Sequence, residues 1–336
     1  MITELNTLKQ TLLDTKLGHT LDQNELNMLI NHCQLISFAP GEIILQQGKK
    51  TDVMYIIIQG TALVTAKILG EGGTYLSSLG RGNILGEMSV IEKNAAETSV
   101  IASSEVRCLM ISGPYFEMLA LFFPQTKYKI TKIIALDVCY RLKEIHKKII
   151  HFINSTEMAS RSIFAEVLKT FTRPSSLNWS ESKLNPDQLL NVGPFKKLGA
   201  DVFHDLLNHA TLLKAPNNCM LLKEDDFDES CFILLRGAVQ TTIIAHNKSV
   251  KLSVMGPLTF FSTNTLIDSS MPSFFNYSTR ERALLLKISS EKLARLQKDH
   301  VELWYRIFEL LCKSLVRLER AAEKLDIRLK SELYNR

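Results

Sequence analysis

The residues best placed to do chemistry lie between Leu79 and Val100, in LGRGNILGEMSVIEKNAAETSV, where Gly86 and Glu87 open a short helical turn that continues through Met88. Such a turn presents unpaired backbone N–H groups to any anion above it, and Gly86 lets the backbone approach closely. The segment is an anion cradle in outline. A β-type run at Thr98, Val100 and Ala102 resumes about a dozen residues later, so a strand, a loop with one turn and a second strand follow one another.

The elements that must position this cradle read clearly on either side. FAPGEIILQQG (Phe38 to Gly48) and DVMYIIIQGTALV (Asp52 to Val64) precede it, and VRCLMISGPYFEML follows it. From Phe38 to Ile111 short alternating or β-branched runs are separated by turn signals at Pro40-Gly41, Gly48, Gly60, Gly70 to Gly73 and Gly80 to Gly82, which predicts a small antiparallel barrel or jelly roll. Residues 1–35 form a helical lead-in, with Leu5, Leu8, Leu12, Leu26, Leu29 and Ile30 at helix spacing. From Tyr115 to about Ile153 the period becomes that of a helix, broken at Pro124, with Ile130, Ile134, Val138, Leu142, Ile145, Ile149 and Phe152 along one stripe. A further helix is predicted from Glu157 to Phe171. The polar stretch Arg173 to Pro186 then reads as an interdomain linker.

Four motifs in register over about a hundred residues resemble the cyclic-nucleotide-binding domains, the family of the catabolite activator and of the protein kinase A regulatory subunits. The resemblance implies that Glu87 matches the ribose-binding glutamate and that Thr98 lies near the base. It also implies an Arg, eleven positions after the cassette glycine, that grips the phosphate, and here that position is Glu97. Exchanging a bidentate Arg for a carboxylate removes a strong charge-assisted hydrogen bond and adds a repulsion of about 4 kcal/mol at about 4 Å for an effective dielectric of about 20. Conventional binding is therefore expected to be weaker by at least a few powers of ten than in a family member. If the first cassette binds a ligand, its residues are Gly86, Glu87, Met88, Glu97, Thr98 and Arg81, with Arg81 or Lys93 as the substitute clamp.

The second half repeats the first. PFKKLGADVFHDLLNHATLL (Pro194 to Leu213) repeats the helical lead-in and ESCFILLRGAVQTTI (Glu229 to Ile243) repeats DVMYIIIQGTALV, with Gly237 on Gly60 and Gly256 on Gly80. Ser262 and Thr263 stand where Gly86 and Glu87 stood, and the clamp position falls on Ser273, after Pro272. This second cassette lacks both functions, and Phe260, Phe261, Phe274 and Phe275 are expected to fill its cavity. The alternative is an apolar pocket for another ligand.

From His300 to Tyr334, Phe308, Leu311, Leu315, Leu318, Ala322, Leu325 and Leu329 step by three and four, a heptad seam. The helix either packs on its own barrel or forms a coiled coil with a second chain, the mode that the catabolite-activator branch implies. A protein partner or self-association is thus expected at Phe308, Leu311, Leu315, Leu318, Leu325 and Leu329.

Composition narrows the classes. The 336 residues allow two domains, 46% hydrophobic and 22% charged residues are those of an ordinary globular protein, and a net charge of +5 from 40 basic and 35 acidic residues does not argue for nucleic acid. Six cysteines without metal-ligand spacing read as buried thiols in a reducing compartment, and no apolar run reaches membrane-spanning length. No P-loop, HExxH, kinase or cyclase motif occurs, so no catalytic or metal residue is assigned, and no helix-turn-helix is expected after the last helix. The resulting expectation is an α+β chain: lead-in 1–35, first domain 36–153, linker 154–193, second domain 194–336. It is expected to be a cytoplasmic, non-enzymatic regulatory or scaffold protein, without cofactor, nucleic acid or membrane, that works through protein contacts. The alternative is a small-molecule sensor whose first site binds a cyclic nucleotide or another ligand by a changed mode.

Overall fold

In a computed structural model the structure describes residues 2–67, 73–155, 164–166, 172–182, 184–245 and 248–334. Two compact units emerge, residues 1–137 with 327–336 and residues 138–326. The divisions fall within the two longest helices and not in the polar stretch after Arg173.

The first unit begins with α1 (Ile2–Leu13), α2 (Lys16–Thr20) and α3 (Gln23–His32). Asp22 accepts from the N–H groups of Asn24 and Glu25 while Glu25 reaches back to the Asp22 N–H, a capping box that starts α3. Leu8, Leu12, Leu26, Leu29 and Ile30 are buried, so the lead-in contributes core. Eight strands follow: β1 (Gln34–Phe38), β2 (Ile43–Leu45), β3 (Val53–Gln59), β4 (Ala62–Lys67), β5 (Gly73–Leu79), β6 (Ile84–Leu85), β7 (Ser99–Ala102) and β8 (Val106–Ser112). They form two four-stranded antiparallel sheets, ordered β1-β8-β3-β6 and β2-β7-β4-β5. Phe38, Ile44, Tyr55, Ile57, Val64, Leu85, Val100 and Cys108 make the core. Between β6 and β7 lies α4 (Glu87–Glu92), and after β8 come α5 (Gly113–Phe122) and α6 (Pro124–Ser155), broken at the expected proline.

The second unit takes the part of α6 from Val138 on. Its strands are β9 (Phe164–Glu166), β10 (Ser175–Ser176), β11 (Thr211–Ala215), β12 (Met220–Leu222), β13 (Cys231–Arg236), β14 (Val239–Ala245), β15 (Lys248–Met255), β16 (Thr259–Ser262), β17 (Asn276–Thr279) and β18 (Ala283–Ile288). They form sheets ordered β10-β11-β18-β13-β16 and β12-β17-β14-β15-β9. The helices are α7 (Trp179–Ser182), α8 (Pro186–Leu189), α9 (Gly193–Leu198), α10 (Ala200–His209), α11 (Ser290–Asp299) and α12 (Val301–Tyr334).

Two expectations change. Neither domain closes into a barrel: among the described residues each is a two-sheet sandwich whose sheets keep edge strands, the jelly-roll form. Of the helix predicted over 157–171, the described part is β9, which pairs with β15, so sheet hydrogen bonding overrides local helix propensity there, and the remainder lies outside the described residues. No helix among the described residues is long and apolar enough to cross a membrane.

Register establishes the internal repeat. Gly60 and Gly237 both turn at positive φ, +89° and +96°, where a Cβ would come within 2.1 Å of the Glu105 carbonyl and 2.6 Å of the Arg282 carbonyl. Each hairpin therefore demands glycine at that place. Tyr55 pairs with Leu85 as Phe232 pairs with Phe261, which sets Ser262 on Gly86 and Thr263 on Glu87. After the cassette, Val64 pairs with Val100 as Thr241 pairs with Tyr277, so the second cassette is one residue longer than the first. Counted forward the clamp position is Ser273; counted back from β17 it is Phe274.

Candidate functional site: two cassettes

In the first cassette α4 is capped by Gly86 at φ +83°, a conformation open to glycine, and a Cβ there would stand 2.7 Å from the Val53 carbonyl oxygen. The glycine thus lets β3 and the turn approach each other. Ser89 and Val90 donate to the Gly86 carbonyl at 3.1 and 3.3 Å, and Lys93, itself at positive φ, closes the helix on Ser89. Glu87 is buried at the first helical position, and Met88, Glu97 and Thr98 are partly buried.

The two basic residues near the cassette are engaged elsewhere in the first unit. Arg81 Nη2 donates to the Thr11 carbonyl at 2.8 Å and to Asp14 Oδ2 at 2.9 Å, at the end of α1. Lys93 Nζ pairs with Asp52 Oδ1 at 2.9 Å. The sequence places both beside the cassette, whereas the fold gives each a carboxylate of its own.

The second cassette is built differently. With Ser262 ending β16 in extended backbone, the α-turn shrinks to a 3₁₀ turn, Asn264–Leu266. Ser262 Oγ donates to the Ser230 carbonyl at 2.7 Å and Thr263 Oγ1 to the Asp228 carbonyl at 2.6 Å. Asn264, 4% exposed, accepts from Phe274 N–H at 3.0 Å and donates to the Pro272 carbonyl at 2.7 Å. Thr265 Oγ1 donates to the Met271 carbonyl at 2.9 Å, and Ser273 Oγ to the Phe275 carbonyl at 2.9 Å. These polar side chains are thus spent on main-chain groups, those of Asn264, Thr265 and Ser273 within the cassette and those of Ser262 and Thr263 on the segment leading into β13, as buried polar groups must be.

The four phenylalanines, expected from their sequence positions to fill the cavity, go instead to different partners. Phe260 packs on Phe195 at 5.9 Å, Phe261 stacks between Phe232 and Tyr277 at 5.4 and 5.6 Å, and Phe274 and Phe275 lie 6.1 and 5.9 Å from the His146 ring of α6. His146 is also 2.9 Å from Glu224 Oε1, whose other oxygen accepts from Asn276 Nδ2 at 2.9 Å. Alternation along the chain sends Phe260 and Phe261 to opposite sides, and α6 offers Phe274 and Phe275 a surface to cover. Phe260 borders one cavity of the second unit, with Leu258 and Leu310, and Phe261 borders another. That cavity, about 190 Å³, runs between Thr241, Ser253, Ser262, Thr263 and Tyr277 of the sandwich and Leu311, Leu315 and Arg317 of α12. It is smaller than the roughly 300–1,000 Å³ usual for drug-sized ligands.

The heptad seam is occupied within the single chain. Phe308, Leu311, Leu315, Leu318, Leu325 and Leu329 are all buried, so this face is not open to a coiled coil with a second chain. Within the second unit α6 meets α12 through Arg141, whose guanidinium pairs with the fully buried Glu319, with Nη2 to Oε2 at 3.2 Å. Burial pushes the Cys139 thiol well above its usual range, with Cys312 on α12 adding to the shift.

The cyclic nucleotide-binding domain family model matches residues 35–121 and 212–300, just over half of the chain and one match per sandwich. The chain belongs to the cyclic nucleotide-binding domain family. Members similar to it include the voltage-gated delayed rectifier potassium channel KCNH8 of Homo sapiens, 26% identical over 160 residues, 46% of this chain and 14% of the channel. The cAMP-dependent protein kinase regulatory subunit of Candida albicans is 30% identical over 123 residues, 36% of this chain and 25% of that protein. The chain therefore spans a quarter or less of the length of these two relatives. Among solved structures, the regulatory subunit of a cAMP-independent protein kinase A from Trypanosoma cruzi, bound to guanosine, aligns with 99% of this chain and 92% of its own at 12% identity and a TM-score of 0.31. Set against the nucleotide-binding mode that the family resemblance implies, both cassettes hold a residue other than Arg at the clamp position.

Sequence reading missed His146, Asn264 and Arg317. Asn264 carries the second cassette's hydrogen bonds, and its counterpart in the first copy, Met88, makes no such pattern predictable. His146 and Arg317 reach the second sandwich from helices distant in sequence, where no local signal exists.

Proposed function

We propose that this chain is a non-enzymatic regulatory module that works through contacts with another protein and does not take cyclic nucleotides in the family's usual way. The observation that carries the reading is the charge at the clamp: Glu97 in one cassette and Ser273 or Phe274 in the other, with Arg81 and Lys93 already paired to Asp14 and Asp52. A phosphate brought to the first cassette would meet Glu87 and Glu97 without an Arg from the family's position, which is unfavourable by the like-charge argument. Support for a protein contact comes from Leu121 and Phe122 at the end of α5 and Phe123 just after it, which are 78%, 68% and 44% exposed, three large apolar side chains in a row. The heptad seam does not supply that contact.

A second reading is favoured by the cavity beneath α12: a small, largely apolar ligand bound there would touch the sandwich and the helix together, and its arrival would be felt along α12. In this reading the sensor is the second domain, not the first. Isothermal titration with cyclic AMP and cyclic GMP separates the possibilities. No binding at micromolar ligand is expected for the native chain, and Glu97→Arg is expected to restore measurable affinity. Tight binding by the native chain defeats the proposal. For the protein contact, a pull-down with the native chain and with Leu121→Glu/Phe122→Glu is expected to differ by a stoichiometric partner.

A further inference from the structure

Outside the cassettes, three side chains of the second unit converge with a chemistry that neither the fold nor the proposed regulation uses. Asp205 and His209 lie four residues apart on α10 and so share one face of that helix, one turn from each other. His300 caps the C-terminus of α11, at the residue immediately before α12 begins. Its Nδ1 stands 2.8 Å from Asp205 Oδ2, while His209 Nε2 stands 3.6 Å from Asp205 Oδ1, and the two imidazole rings are 5.4 Å apart. One nitrogen of each histidine and one carboxylate oxygen all lie within 4.8 Å of one another.

We propose that Asp205, His209 and His300 form a divalent-metal site that takes Zn²⁺. Metal–ligand bonds of about 2.0–2.2 Å in a tetrahedron set donor atoms roughly 3.3–3.5 Å apart, a spacing bracketed by the two observed Asp–His distances. Two neutral imidazoles and a carboxylate are a donor set suited to Zn²⁺ and poorly suited to Mg²⁺ or Ca²⁺, which prefer oxygen. The side chains of His209, Asp205 and His300 are 22%, 28% and 42% exposed, so an ion has a path in and water reaches the fourth position. The ligands come from two places more than ninety residues apart, α10 on one side and the α11–α12 junction on the other. Metal binding would clamp the lead-in helix of the second domain to the point at which its closing helix starts, tying Zn²⁺ occupancy to the stiffness of that junction.

The test uses the full chain, stripped of metal with a chelator and titrated with ZnCl₂ by calorimetry, and with Co²⁺ as a spectroscopic substitute. One equivalent of Zn²⁺ is expected to bind at micromolar concentration, Co²⁺ to show the visible bands of a low-symmetry N/O site, and the thermal midpoint to rise with metal. His300→Ala and Asp205→Asn are each expected to weaken binding at least tenfold and abolish the bands, whereas His204→Ala, the neighbouring histidine on α10, changes neither. Circular dichroism checks that each variant is folded, and His209→Gln gives a milder replacement if His300→Ala is not. Absence of Zn²⁺ binding overturns the proposal, as does binding that survives both His300→Ala and Asp205→Asn. In the first case the cluster is an ordinary Asp–His hydrogen-bonded group, and in the second the metal sits elsewhere.

Discussion

The two cassettes occupy the equivalent place in their two sandwiches, yet they are built differently. The first keeps the geometry of a binding turn: a glycine at positive φ beneath a strand carbonyl, a short α-helix and a buried glutamate at its start. On the proposed reading, what sets it apart from a nucleotide-binding cassette is charge, at Glu97. The second differs in the backbone itself, with a 3₁₀ turn, an extra residue and a set of side chains that hydrogen-bond to main-chain groups of the loop and of Asp228 and Ser230. On the proposed reading, a site altered in charge is expected to be recoverable by one substitution. A site whose polar groups are consumed internally is not, because a restored charge would have to enter a closed and satisfied interior.

The largest test of this contrast places the same residue in both copies. Ser273 is 1% exposed, so Ser273→Arg buries a guanidinium without a designed partner and is expected to cost about 3–5 kcal/mol. Glu97→Arg, at a partly buried position, is expected to leave stability nearly unchanged while cyclic AMP affinity appears. Both tryptophans, Trp179 and Trp304, belong to the second unit, so denaturation followed by tryptophan fluorescence reads that unit directly. Equal destabilisation by the two substitutions would abolish the distinction.

Next in size is the pair Asn264→Ala and Met88→Ala, at matching places in the two cassettes. Losing the Asn264 amide leaves the Phe274 N–H and the Pro272 carbonyl without that partner in a buried loop, an expected cost of about 2–4 kcal/mol. Met88, partly buried and apolar, is expected to cost about 1 kcal/mol when truncated. A smaller effect is expected from Gly86→Ala, which combines positive φ with a contact to the Val53 carbonyl and should cost about 1–3 kcal/mol, seen in the far-ultraviolet dichroism melt. Ser262→Ala, in the extended second copy, loses one hydrogen bond and should cost about 1 kcal/mol. The smallest effect belongs to Arg81→Ala. Its ion pair with Asp14 has side chains 45% and 63% exposed, so less than about 1 kcal/mol is expected, and nucleotide titrations should be unaltered. A change in ligand affinity from Arg81→Ala would mean that this residue serves the cassette after all.

What the sequence determined by itself is the local and the repeated. The hairpin glycines Gly60 and Gly237, the cassette glycine Gly86, the break at Pro124 and the register that sets Ser262–Thr263 on Gly86–Glu87 were all legible, because turn geometry and strand alternation depend on neighbours a few residues apart. The helical lead-in was legible for the same reason. The tertiary structure decided everything that depends on which surface a side chain finds. Phe274 and Phe275 are apolar in any reading, but only the placement of His146 on α6 turns them from a filling of the second cavity into a facing for that helix. Arg81 is basic in any reading, but only the end of α1 makes it the partner of Asp14. The heptad period of α12 specifies a buried stripe without naming what covers it, and the fold answers that within one chain. Asp205, His209 and His300 carry no spacing motif, because the turn of α10 and the α11–α12 junction are brought together by packing across a whole domain, a juxtaposition that no local rule encodes.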